Sequence, residues 1–158
     1  EKMAELHDFL TLVRWTGNTG EGNATYRGYQ RTWDIAIPGK PIVGCSNDPR
    51  LGGDPSMLNP EDIFLSALSS CHMLWYLHLS CLEGIVVTSY EDNAVGHGES
   101  ERSGAGRFIG ATLKPLVHVP KGTDLRIADD IHERIHNVCF IARSVSFPIN
   151  IEPTYVEV

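Results

Sequence analysis

From Tyr29 to Ile37 the odd positions Tyr29, Arg31, Trp33, Ile35 and Ile37 alternate with Gln30, Thr32, Asp34 and Ala36. That two-residue period predicts a strand with one apolar face, and places Arg31 on it. Thr11 to Trp15 reads as a shorter strand, followed by the turn-forming run Gly17 to Gly22. Pro38-Gly39-Lys40 predicts a hairpin turn into Pro41 to Cys45, and Ser46 to Leu58, rich in Asp, Pro and Gly, predicts an irregular segment.

The period then changes to helical. Asn59 is a capping residue, Pro60 suits the first helical position, and Glu61 and Asp62 put negative charge where the helix dipole favours it. Ile63, Phe64, Ala67, Leu68, Cys71, Leu74, Trp75 and His78 share one broad face, and Gly84 marks a stop after about Leu82. Charges are so sparse between Ile63 and Leu82 that this helix is expected to be buried on most sides, with Cys71 in the middle of its apolar stripe. Ile85 to Val95 and Gly106 to Val119 read as strands joined by a polar stretch from Gly96 to Gly104. A second helix opens at Lys121-Gly122-Thr123-Asp124 and runs to about Val138 on a stripe of Ile127, Ile131, Ile135 and Val138. Val145 to Val158 closes the chain as strand interrupted by Pro148 and Pro153. Strands grouped around two helices, without βαβ regularity, predict an α+β fold. With 158 residues and 42% apolar side chains, the chain is expected to form one domain, residues 1–158.

A net charge of −7 with scattered Lys and Arg argues against nucleic acid and anionic membranes as partners. Glu1 to Leu10 shows neither the basic start nor the apolar run of a signal peptide, and no stretch approaches the ~18 apolar residues of a membrane span. The expectation is a cytoplasmic chain whose four cysteines are reduced thiols. His132-Glu133-Arg134-Ile135-His136 satisfies the H-E-x-x-H zinc pattern, which Cys139 one turn later would complete. The chain is small for a metalloprotease and has no third-ligand pattern of that class, so His132 and His136 are read as solvated histidines on the helix surface. His72 points about 100° away from Cys71 and is read as packed or hydrogen-bonded.

Asn59-Pro60-Glu61 through Cys71-His72, with Cys139, Arg143-Ser144 and Glu152-Pro153 later, resembles the OsmC/Ohr family. The resemblance implies antiparallel sheets wrapped around two central helices in an intertwined homodimer, and a thiol-dependent peroxidase acting on organic hydroperoxides. It also implies Cys71 as the attacking cysteine, Cys139 as the resolving cysteine and Glu61 as an active-site glutamate. No metal or organic cofactor is expected; the partners expected are the hydroperoxide, an external dithiol reductant and a second copy of the chain.

The chemistry needs something to favour the thiolate, since an ordinary cysteine is mostly protonated at neutral pH. Cys71 is about three turns from its helix N-terminus, beyond the reach of the dipole, and an apolar surround works the wrong way. A guanidinium is the remaining candidate. By resemblance, Arg31 matches the Ohr branch and Arg50 the OsmC branch; Arg31 is preferred for its place on the apolar face. Glu61 and Cys71 lie about 15 Å apart along a straight helix, too far to share one arginine. The expectation is that Glu61 of one subunit serves Cys71 of the other. Phe64, Leu68, Trp75 and Phe140 are candidates to line an apolar approach. A non-catalytic, redox-sensing or ligand-binding protein on the same fold is the alternative, and a metal-binding protein a remote one.

Overall fold

The computed structural model describes residues 4–158, so the first three residues of the N-terminal stretch lie outside the described residues. The chain divides into two compact units, the first ending at Ile63 and the second running from Phe64 to Val158.

The first unit carries an antiparallel sheet of β1 (Val13–Trp15), β2 (Thr32–Ile35) and β3 (Val43–Ser46), in that order. β2 is shorter than the alternation predicts. Its N-terminal end is drawn into the preceding loop, where Gln30 N donates to Gly17 O at 2.9 Å. The backbones approach so closely here that a Cβ on Gly17 would sit 1.8 Å from Gln30 O. Arg31 therefore lies just outside the strand rather than on its apolar face, and β2 is half-buried at every position.

Helix α1 (Pro60–Leu82) is unbroken and obeys its predicted limits. Asp62 N donates to Asn59 Oδ1 at 2.8 Å and Asn59 N to Asp62 Oδ2 at 3.0 Å, a reciprocal capping box. At the other end Gly84 takes φ +74°. Ile85 N then reaches Ser80 O at 2.8 Å and Gly84 N reaches Cys81 O at 3.2 Å, closing the last turn. The deeply buried stripe is Leu68, His72, Tyr76 and Ser80. The expectation of burial on most sides is corrected: Leu74 is 62% exposed, Leu82 71% and Phe64 40%. An uncharged helix face is not evidence of a covering layer within the same chain.

The second unit holds β4 (Ser89–Asp92), β5 (Val95–Ser100), β6 (Gly106–Leu113), β7 (Pro115–Val119), α2 (Leu125–Ile135), β8 (Ile149–Ile151) and β9 (Thr154–Glu157). Its sheets have the orders β4-β7-β9 and β5-β6-β8. Each combines an antiparallel pair with a parallel one, β7 with β9 and β6 with β8. The two strands expected on either side of a polar connection are four, and the first half of that connection is β5. Gly96 belongs in a strand here because Phe108 lies across it: a Cβ would come within 2.5 Å of the ring. Between β6 and β7, Lys114 N turns out of the ladder to Asp92 Oδ1 at 2.7 Å. The core joins Leu68 and Tyr76 of α1, Leu113, Val117 and Val119 of the sheets, and Ala128, Ile131 and Ile135 of α2.

Candidate functional site

The α2 stripe places one cysteine. Ala128, Ile131, His132 and Ile135 face inward, and Cys139 continues the same face beyond the helix end, with its N–H donating to Ile135 O at 2.8 Å. Ile127 and Val138, expected on that stripe, are 37% and 38% exposed. Ala128 anchors the face in place of Ile127, because phase along the helix, not hydrophobicity alone, decides which positions turn inward.

Cys139 is fully buried, and its Sγ donates to Cys71 Sγ at 2.8 Å. Both are free thiols, and Cys71 on α1 is the more accessible. Burial pushes the Cys139 thiol up to about 11, helped by its hydrogen bond to Cys71, while donation from Ala142 N acts the other way. The pair is thus asymmetric: a half-buried sulfur receives a hydrogen bond from a fully buried thiol that holds its proton. Of the remaining cysteines, Cys45 is buried in the first unit and Cys81 is exposed.

The residue after Cys71 makes a buried polar contact. His72 Nε2 and His132 Nδ1 share a hydrogen bond of 2.8 Å, and both residues are only 5% exposed. His132 also stacks on Tyr76 with centroids 4.1 Å apart, and Tyr76 Oη donates to Ala128 O at 2.7 Å. Burial depresses His72 to about 4, against a weaker upward pull from Asp92. His132 falls to about 3 through burial and then through the charge of His72. The reading of His132 as a solvated surface histidine is therefore corrected; His136 is exposed as expected. A small cavity of about 40 Å³ adjoins His72, His132 and His136, and His132 Nε2 is buried with no hydrogen-bond partner among the described residues. Among the described residues no group of three or more His, Cys, Asp or Glu side chains is placed to hold a metal ion.

The two candidate arginines, both in the first unit, are held very differently. Arg50 is committed to Asp48, with its Nη2 2.6 Å from Oδ2 and its Nε 3.0 Å from the same oxygen. That pairing raises Arg50, with a smaller contribution from the charge of Glu61. Arg31 forms no ion pair among the described residues. Its Nη1 and Nη2 donate instead to Tyr29 O at 3.2 Å and Tyr26 O at 2.8 Å. The guanidinium lies 4.3 Å from the Tyr29 ring centroid and 4.6 Å from that of Tyr26. Glu61, in the first turn of α1, is exposed. The tyrosine surround of Arg31 is not legible in the sequence, because Tyr26 falls outside every period.

A cleft of about 270 Å³ opens in the second unit beside Ser69, Ser70, Met73, Tyr90 and Asp92. Ser69 Oγ donates to Asp92 Oδ2 at 2.5 Å at its wall. Leu68, a candidate for the apolar approach, is corrected to a core residue at 1% exposure. Phe64 stacks on Phe108 at 5.3 Å, and Phe140 is 61% exposed.

Among the described residues no helix is long and apolar enough to cross a membrane. A comparison with curated proteins finds no match. Among solved structures, an OsmC-like protein of unknown function from Vibrio cholerae is 27% identical with a TM-score of 0.83, over 94% of this chain and 100% of its own. An organic hydroperoxide resistance protein from Elizabethkingia anophelis is 18% identical with a TM-score of 0.64, over 99% of this chain and 100% of its own. The organic hydroperoxide resistance protein OhrB of Bacillus subtilis is 17% identical with a TM-score of 0.60, over 94% and 98% respectively. At those last two identities the likeness is one of fold. The family described as OsmC-like protein matches residues 53–154, a span that contains Glu61, Cys71 and Cys139, and the chain therefore belongs to the OsmC/Ohr family.

Proposed function

We propose that this protein is a thiol-dependent peroxidase that reduces organic hydroperoxides to alcohols at the expense of an external dithiol. The observation that carries the reading is the Cys71–Cys139 pair, whose sulfurs lie 2.8 Å apart. The Cys71 thiolate attacks the distal peroxide oxygen, the O–O bond breaks, and the leaving alkoxide takes a proton to become the alcohol. Cys71 is left as sulfenic acid. The Cys139 sulfur then attacks the Cys71 sulfur, water leaves with the Cys139 proton, and a disulfide forms. Thiol–disulfide exchange with the dithiol returns both thiols, and a reducing cytoplasm would supply it.

Arg31 is the cation assigned to the thiolate and the bound peroxide. Arg31 forms no ion pair among the described residues and so is open to Glu61 of the neighbouring subunit, whereas Arg50 already pairs with Asp48. Glu61 is assigned to the arginine of the neighbouring subunit in a homodimer. The unbroken α1 and the exposed Leu74, Leu77 and Leu82 on its surface support a second copy of the chain packing there. The chain would act as a single OsmC-like domain over residues 1–158.

The test is steady-state consumption of cumene hydroperoxide and of hydrogen peroxide with a dithiol reductant, for wild type, Cys71→Ser and Cys139→Ser. The reading requires faster turnover of the organic substrate and its loss in both variants. A slow, redox-sensing use of the same cysteines is favoured by one feature, the high pKa of Cys139, which holds back the resolving step; single oxidation without turnover would establish it.

A further inference from the structure

His132 is a buried ring with only one of its two nitrogens satisfied. Its Nδ1 meets His72 Nε2 at 2.8 Å, and its plane is set by the Tyr76 ring stacked on it at 4.1 Å. The residue is 5% exposed, and Nε2 has no hydrogen-bond partner among the described residues. Neither placement of the shared proton relieves that nitrogen, because a neutral imidazole carries a single N–H. If His72 Nε2 donates, His132 holds its own proton on Nε2 and needs an acceptor there. If His132 Nδ1 donates, its Nε2 is a lone pair and needs a donor. A buried nitrogen left unsatisfied is costly in either form.

The adjoining cavity of about 40 Å³ narrows the choice of ligand. Leu68, Leu113, Ala142, Ile149 and Ile151 line it with hydrocarbon, which offers a nitrogen no partner and an ion no counter-charge. A water molecule needs roughly 10–15 Å³ of such space and at least two polar contacts. The second contact comes from His136, which lines the same cavity one helical turn beyond His132 and is itself exposed to solvent. Water both donates and accepts, so it satisfies His132 Nε2 in either tautomer. A metal ion would find two imidazoles and no third ligand among the described residues.

We propose that this cavity is an internal hydration site, in which a water molecule is held by His132 Nε2 and the His136 imidazole and completes the hydrogen bonding of the His72–His132 contact between α1 and α2. The H-E-x-x-H spacing thus serves a water and not a metal. The proposal does not depend on the peroxidase reading.

The test is a set of high-resolution crystal structures of the wild type, His132→Phe and His136→Phe, with wild-type crystals also grown in equimolar zinc chloride. The wild type is expected to show a water peak at about 2.7–3.2 Å from His132 Nε2. His132→Phe, which keeps a ring on Tyr76, is expected to lose the peak, and His136→Phe to weaken or lose it. In solution, the wild type is expected to give cross-relaxation of opposite sign in NOE and ROE spectra between water and the His132 ring, the mark of a long-lived internal water. No variant is needed for the two wild-type measurements. A wild-type map with ordered histidines and no water on Nε2, or with a protein atom bonded to it, would overturn the site. Anomalous zinc density between His132 and His136 would overturn water as its ligand. An undiminished peak in His136→Phe would overturn the part assigned to His136.

Discussion

His72 Nε2 and His132 Nδ1 meet at 2.8 Å, joining the cysteine-bearing helix to α2 through two rings that are both neutral at physiological pH. The folded chain holds them at about 4 and about 3, below the ordinary 6.5, chiefly by burial. Above about 6.5 neither the folded nor the unfolded chain binds these protons, so their contribution to stability is complete. As pH falls from there, the unfolded chain takes up protons that the folded chain refuses, and stability drops until the folded values are reached. A tenfold difference in proton affinity between the two states is worth about 1.4 kcal/mol, so the first proton alone costs on the order of 3 kcal/mol. Urea midpoints of the wild type are expected to fall between pH 7 and pH 4 more steeply than those of His72→Phe/His132→Phe. Equal slopes would remove the histidine pair from the acid response.

The capping box makes a local prediction. Asn59→Ala removes the acceptor for Asp62 N and is expected to destabilise the protein by about 1 kcal/mol. Asn59→Asp keeps an acceptor and should retain most of that stability. Chemical denaturation of the three proteins checks the order.

Gly96 and Phe108 form a pair that only glycine permits. A methyl group at residue 96 would lie 2.5 Å from Phe108 Cε1, so Gly96→Ala is expected to cost about 1–3 kcal/mol. Phe108 also stacks against Phe64 at 5.3 Å and packs on Phe147 at 5.7 Å, which limits its escape. Trimming the ring with Phe108→Leu should make Gly96→Ala nearly neutral. Additive losses in urea denaturation would mean that the strain lies in the β5 backbone.

Legibility in the sequence follows the range of the interaction. Helix α1 is readable to the residue because Asn59, Pro60, Asp62 and Gly84 act within a turn of their own positions. β5 reads as a connection because Gly96 and Gly98 look like loop residues until Phe108 is seen across the sheet. Phasing the α2 stripe on Ile127 rather than Ala128, a rotation of one position, puts His132 at the surface. The two cysteines of the site stand out by segment and resemblance, and the structure puts their sulfurs together. The setting of Arg31 is hidden because Tyr26 comes from a loop with no period, and Tyr29, which the alternation assigns to the strand, lies before β2 in that same loop.

The dimer reading predicts that Leu77→Glu or Leu74→Glu weakens self-association and lowers peroxidase turnover together. Sedimentation velocity alongside the peroxide assay measures both. A wild-type monomer with full activity would remove Glu61 from the neighbouring site.

The central claim is the pairing of Cys71 with Cys139, and intact mass after one equivalent of cumene hydroperoxide tests it most directly. The account predicts a loss of two hydrogens in wild type, mapped to a Cys71–Cys139 disulfide. It predicts an added oxygen on Cys71 in Cys139→Ser and no rapid oxidation in Cys71→Ser. An unchanged mass in wild type, or a disulfide that engages Cys45 or Cys81 instead, would contradict it.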